Sequence, residues 1–147
     1  MKEQELWKDI QGYDGKYQVS TLGRVRSVKR TVINSRGRKQ SFKETILRPD
    51  HAPNGYERVG LYDKGRLKHR RVAKLVYEAF VGPVPEGLEI DHLNGNNTDN
   101  RLENLRVCTH KENCNNPITR ERNRGANENR SQKMKAWWVQ KRATSTP

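Results

Sequence analysis

Hydrophobic residues in this chain fall in short clusters with two different periods. Trp7 to Ile10 alternates, and Tyr17, Val19, Val25 and Val28 read as inward positions of two strands separated at Gly23. Gly12, Asp14 and Gly15 predict turns between the first strands. Residues 34–41 carry no apolar side chain and predict an exposed basic hairpin tip. Ile46-Leu47-Arg48 predicts a short strand, and Pro49 to Asn54 a loop. Tyr56, Val59 and Leu61 predict a strand that turns at Asp63-Lys64-Gly65 and returns from Leu67 to Val72.

The period then changes. Val72, Leu75, Val76, Ala79 and Phe80 recur at helical spacing, predicting a helix over 72–80 that Gly82-Pro83 ends. Leu88 to His92 reads as a strand, 93–100 as a polar loop, and Leu102 to Val107 as the returning strand. Thr109 with Glu112 matches a capping box, so a helix should begin at Thr109. A last helix is expected over 126–142, where Met134, Trp137 and Trp138 read as packing residues.

Composition restricts the architecture. The chain has 147 residues, 31% of them hydrophobic, and a mean hydropathy of -1.14. These values favour small modules over a single large core. No segment is apolar enough for a membrane span or a signal peptide, so a cytoplasmic location is expected, with no membrane partner. Cys108 and Cys114 are too few for a disulfide framework. With His110 they lack the fourth ligand of a structural zinc site.

Charge changes the picture more. The net charge is +13, which favours a polyanion partner. Nine Lys/Arg face one acid over 24–48, six face none over 64–74, and eight face two over 115–147. Residues 84–104 reverse the sign, with five acids and one arginine. Basic arms around an acidic centre suit a metal-dependent nuclease, the arms holding phosphates and the centre a cation.

The candidate chemistry sits in that centre. Asp91 and Asn113 are hard oxygen donors of the kind Mg²⁺ (or Mn²⁺) takes while keeping several waters. His92 can take a proton from water near neutral pH. Adjacent strand residues face opposite ways, so Asp91 and His92 meet one phosphate only if Asn94-Gly95 bends the chain. The second nitrogen of His92 needs a partner, a backbone carbonyl or Asn104; otherwise Asn104 braces the loop. Asp99 reads as a turn residue. His110 touches phosphate or has no role. The other candidate DNA contacts are Arg24, Arg26, Lys29, Arg30, Arg36, Arg38, Lys39, Arg70, Arg71 and Lys74.

Ile90-Asp91-His92-Leu93-Asn94-Gly95-Asn96, Asn100-Arg101-Leu102-Glu103-Asn104-Leu105-Arg106 and Glu112-Asn113 together resemble the HNH nuclease motif. Trp7 to Ser20, with Gly23-Arg24-Val25-Arg26-Ser27, resembles the nuclease-associated modular DNA-binding segment of phage homing endonucleases. The resemblance implies an α+β protein: a β-rich DNA-binding segment (5–48), a nuclease domain (54–116) with a ββα-metal core (88–116), and a basic tail (117–147). It implies cleavage of double-stranded DNA to 3′-hydroxyl and 5′-phosphate ends in the host cytoplasm. It further implies Asp91 and Asn113 as metal ligands, His92 as general base and Asn104 as the structural middle asparagine. Related proteins carry a histidine early in the helix before the motif; Ala73 stands there, and Lys74 is the expected substitute for its charge. They also often end in a longer, separate helix-turn-helix module, where this chain has one basic helix.

One site per chain predicts nicking unless the protein dimerises, and a monomer or weak dimer is expected. Two other readings stay open: a non-catalytic basic DNA-binding module, and an accessory factor for another DNA enzyme, with a phage DNA-processing protein as partner.

Overall fold

A computed structural model describes residues 4–144. The chain divides into two compact units, one ending at Cys108 and the other beginning at Thr109. Residues 1–3 and 145–147 lie outside the described residues, and with them the end of the expected basic tail.

The first unit is built from short antiparallel pairings. Strands β1 (Trp7–Asp9), β2 (Tyr17–Ser20), β3 (Val25–Ser27) and β6 (Thr45–Ile46) form a sheet in the order β1-β2-β3-β6. Strands β4 (Arg30–Ile33) and β5 (Lys39–Phe42) form the exposed basic hairpin, with Asn34 closing its turn by accepting from the N–H groups of Arg36 and Arg38. A three-stranded sheet follows, β7 (Asp50–His51), β8 (Glu57–Asp63) and β9 (Arg66–Arg71). The β8–β9 turn puts Lys64 at φ 48° and Gly65 at φ 76°, the left-handed geometry of a tight hairpin. Helix α1 (Val72–Phe80) then forms where its periodicity predicts. Strands β10 (Glu89–His92) and β11 (Leu105–Cys108) close the unit as a hairpin.

Two local expectations change. Residues 49–54 are not wholly loop, because Asp50 and His51 pair with Arg58 and Glu57. Leu102 to Asn104 is a 3-10 turn, and the strand begins only at Leu105. Asn104 is turned inward there, where its amide bonds the loop rather than a ladder.

The expectation of separate small modules also fails. Ile10, Tyr13, Tyr17, Val19 and Val25 share one core with Val59, Leu61, Val72, Ala73, Leu75, Val76 and Leu105. Neither segment has enough apolar surface alone, and pooling their inner faces removes more of it from water. Polar bonds reinforce the seam: the Tyr62 N–H donates to Tyr17 Oη at 3.1 Å, and the Leu102 N–H to the Thr21 carbonyl at 2.8 Å.

In the second unit, the capping box forms as expected. The Glu112 N–H donates to Thr109 Oγ1 at 3.2 Å, and the Thr109 N–H to Glu112 Oε2 at 2.8 Å, opening α2 (His110–Cys114). Helix α3 (Pro117–Thr144) starts earlier than predicted. Asn116 accepts from the Ile118 N–H at 3.1 Å and Pro117 takes the first helical position, a start signal stronger than the later apolar spacing. Trp137 and Trp138 are not core residues. They are 51% and 53% exposed, packed edge to face at 5.0 Å, with Lys141 over Trp137. Among the described residues, no helix is long and apolar enough to cross a membrane.

Gly23 tests the seam of the shared core. Its φ is +81°, and a Cβ there would meet the Asn100 backbone carbonyl at 2.9 Å. Gly23→Ala should therefore lower unfolding stability by about 1–3 kcal/mol, as a denaturant titration would measure.

Candidate active site

The site grows from the β10–β11 hairpin. Asp91 pairs across the ladder with Arg106, and His92 with Leu105. Both acidic and basic members of the Asp-His dipeptide are buried, Asp91 at 5% and His92 at 2% exposure. The Arg106 guanidinium holds Asp91 Oδ2 through Nε at 3.0 Å and Nη2 at 2.9 Å. This pairing balances the buried carboxylate charge within the unit.

Immediately after His92 the chain turns. The Gly95 N–H donates to the His92 carbonyl at 2.9 Å, with Gly95 at φ 70°, so Asn94-Gly95 supplies the predicted bend. The loop beyond is held by its asparagines. Asn94 Oδ1 accepts from the Asn96 N–H at 2.9 Å, and Asn96 Oδ1 from the Thr98 N–H at 3.0 Å. Asn104 clamps the whole segment: Oδ1 accepts from the Asn94 N–H at 3.0 Å, while Nδ2 donates to Asn94 Oδ1 at 3.0 Å and to the Asp99 carbonyl at 2.8 Å. Asn104 is thus a loop brace, one of its two expected roles, and another side chain replaces it as a partner of His92.

That replacement is Asn100. His92 Nε2 lies 2.9 Å from Asn100 Oδ1, and Asn100 Nδ2 donates to Glu57 Oε2 at 2.9 Å. Asn100 is itself 4% exposed. The Tyr56 ring stands 5.9 Å from the imidazole, centre to centre, and the Arg71 guanidinium lies 4.5 Å from the centre of the Tyr56 ring. Asn100 had a signal, its place in the Asp-Asn-Arg run. Glu57 had none, because 43 residues separate it from Asn100.

Asp99 is a structural residue, as its turn position suggested. Arg101 holds its carboxylate through Nε at 2.8 Å and Nη2 at 2.9 Å, and Asn94 Nδ2 donates at 2.7 Å. Led by the Arg101 hydrogen bond and opposed by burial, these contacts hold its pKa at about 2.

Helix α2 of the second unit carries His110 and Asn113. His110 Nε2 lies 3.5 Å from Cys114 Sγ, and the Asn113 N–H donates to the Thr109 carbonyl at 3.0 Å. Among the described residues, no three His, Cys, Asp or Glu side chains gather as a metal cage.

Comparison with known proteins bears directly on this hairpin. Residues 66–114 match the HNH endonuclease family model, and residues 5–62 the NUMOD4 motif. The chain carries an HNH endonuclease domain behind a NUMOD4 motif. Over 114 residues it is 39% identical to DNA endonuclease I-HmuI of Bacillus phage SP01, covering 78% of this chain and 58% of that protein. It is 29% identical to an uncharacterized HNH endonuclease, L247, of Acanthamoeba polyphaga mimivirus, over 76% of this chain and 26% of that one. The solved structure of DNA binding and cleavage by the HNH homing endonuclease I-HmuI matches with a TM-score of 0.62 at 37% identity, covering 79% of this chain and 59% of that one. The chain therefore spans a little over half the length of I-HmuI. The α+β architecture expected from the sequence agrees with that match.

Within the HNH and NUMOD4 segments the candidate DNA-contacting cations divide into two groups. Arg24 pairs with Glu5, and Arg26 bonds Gln18 and packs over Trp7 at 4.0 Å. Arg30 packs over Phe42 at 4.5 Å, while Arg70 and Lys74 both pair with Glu78. The charge expected from Lys74 in place of the family histidine is thus shared with a carboxylate on its own helix. Arg36, Arg38 and Lys39 are exposed on the β4–β5 hairpin, and Lys29 is exposed just before it.

A lowered carboxyl pKa stabilises the fold above the unfolded value, near 3.8, and that contribution disappears as pH falls towards 2. Asp99→Asn should therefore flatten the loss of stability between pH 4 and pH 2, measured by thermal melts across that range.

Proposed function

We propose that this chain is a metal-dependent DNA endonuclease that hydrolyses phosphodiester bonds and, with one site per chain, nicks one strand as a monomer. The observation that carries the proposal is the buried Asp91–His92 pair on a hairpin whose loop Asn104 braces, within an HNH endonuclease domain. The name of I-HmuI, a DNA endonuclease, supports DNA as the substrate class.

Asp91 would hold the divalent cation, and Asn113 is the motif's second candidate donor. Both are hard oxygen donors, and Mg²⁺ or Mn²⁺ bound by one or two protein oxygens needs no protein cage, leaving its other positions to water and phosphate. The Asp91 carboxylate, already buried beside a balancing cation, has the donor chemistry such an ion takes. When bound, the cation would polarise the scissile phosphate and stabilise the leaving oxygen.

The protein's own part is positioning and proton transfer. His92 accepts the proton of the attacking water. Asn104 keeps the loop closed so that the imidazole stays in place. The exposed cations Lys29, Arg36, Arg38 and Lys39 bind backbone phosphates, an interaction that weakens with salt as counterions are released. His110 and Arg71 serve as secondary phosphate contacts.

Incubation of supercoiled plasmid with Mg²⁺ or Mn²⁺ tests the proposal. Wild type should give relaxed circles, chelation with EDTA should abolish the reaction, and His92→Ala should slow it by about 10²- to 10⁴-fold. Retained DNA binding without cutting by wild type would instead assign a non-catalytic binding module, and cutting only with an added protein an accessory role.

A further inference from the structure

Asn100 sits between an imidazole that can donate or accept and a carboxylate that can only accept. The carboxylate decides the arrangement. Glu57 Oε2, 2.9 Å away, requires the Asn100 amide to present its NH₂ group, which turns Oδ1 towards His92. An oxygen facing His92 Nε2 at 2.9 Å in turn requires that nitrogen to carry the hydrogen. The lone pair is then left on Nδ1.

Asn100 has little freedom to escape this arrangement. Its backbone lies against the turn at Gly23, where a single added carbon would collide with it. That turn is fixed by Ser20 Oγ, which accepts from the Leu22 and Arg24 N–H groups, and the neighbouring Leu102 N–H is bonded to Thr21. Glu57 is held in the middle sheet on β8, with its other oxygen, Oε1, 3.9 Å from His51 Nε2. Tyr56, the residue before it, packs on the imidazole. Residues from β8 and from the N-terminal turn therefore converge on Asn100, and Asn100 with Tyr56 meets the ring.

We propose that Glu57 is a positioning residue for His92: by accepting from Asn100 it fixes the amide orientation, and through it the Nε2–H tautomer whose Nδ1 takes the proton from water. This rests on the nuclease reading above for the role of His92, but the tautomer itself does not. The partner of the imidazole is a neutral amide, so the device selects a tautomer without adding a negative charge beside the ring. It also gives the N-terminal segment a share in the chemistry, because the Gly23 turn seats the amide that Glu57 orients.

The test is a long-range ¹H–¹⁵N correlation spectrum of the histidine-labelled full chain, without metal or DNA, at a pH where the ring is neutral. His92→Ala assigns the signal among the four histidines. Wild type should show the Nε2–H tautomer; a dominant Nδ1–H form would overturn the proposal whether or not the protein cuts DNA. Glu57→Gln leaves a partner that can accept or donate, so Asn100 is free to present either end and the spectrum should show both tautomers. Plasmid nicking by that variant should fall about tenfold in kcat with KM for DNA unchanged, well short of the ~10⁴-fold loss seen when a catalytic imidazole is held in the wrong tautomer. A Glu57→Gln spectrum identical to wild type, or an unchanged kcat, would also overturn it. Should Glu57→Gln fail to fold, the wild-type spectrum still decides.

Discussion

The amide of Asn104 is the constraint from which the rest of the site follows. Its three hydrogen bonds fasten both ends of the 94–99 loop to the start of β11. Without them the loop would be a polar surface segment with solvated asparagines. With them it has one conformation, and that conformation delivers Asn100 to the imidazole of His92. Buried amides satisfied on every side are rigid for this reason: any displacement leaves a donor or acceptor without a partner in a place water does not reach. Among the described residues, no buried side-chain nitrogen or oxygen lacks a hydrogen bond.

A second constraint is the shortage of apolar surface. With 31% hydrophobic residues, the N-terminal strands and the strands before α1 cannot each fill a core. They share one, centred on Val19, Val25, Val59, Leu61 and Val76. The functional consequence is that the NUMOD4 segment is built into the support of the HNH hairpin. Thr21 and Gly23 touch the loop's far end, and Tyr17 bonds the strand that carries Glu57. A substitution in the N-terminal segment can therefore reach the imidazole through packing alone.

The cations show a similar division of labour. A surplus of charge gives long-range attraction for a polyanion, but a guanidinium bound to a neighbouring carboxylate contributes less to it. Arg24, Arg70 and Lys74 are tied to glutamates, and Arg26 and Arg30 lie over aromatic rings. Of these, Arg26 and Arg30 help to hold neighbouring short strands together. The β4–β5 hairpin keeps its cations at the surface, on a turn that the Asn34 side chain stiffens.

Local order was legible in the sequence. The helix over 72–80, the Asn-Gly bend, the Thr109 capping box and the exposed basic hairpin each follow from side-chain period or from a hydrogen bond within a few residues. So did the Asp91–His92 pair, since adjacent residues need no fold to bring them together. Tertiary structure decided what the sequence could not reach. It put Glu57 against Asn100 across 43 residues, gave His92 Asn100 as a partner where a backbone carbonyl or Asn104 was expected, and merged two segments into one core. Periodicity records which face of an element is apolar, but not which distant element covers it. That depends on how all the faces pack at once, and the contacts that orient His92 exist only after that packing is complete.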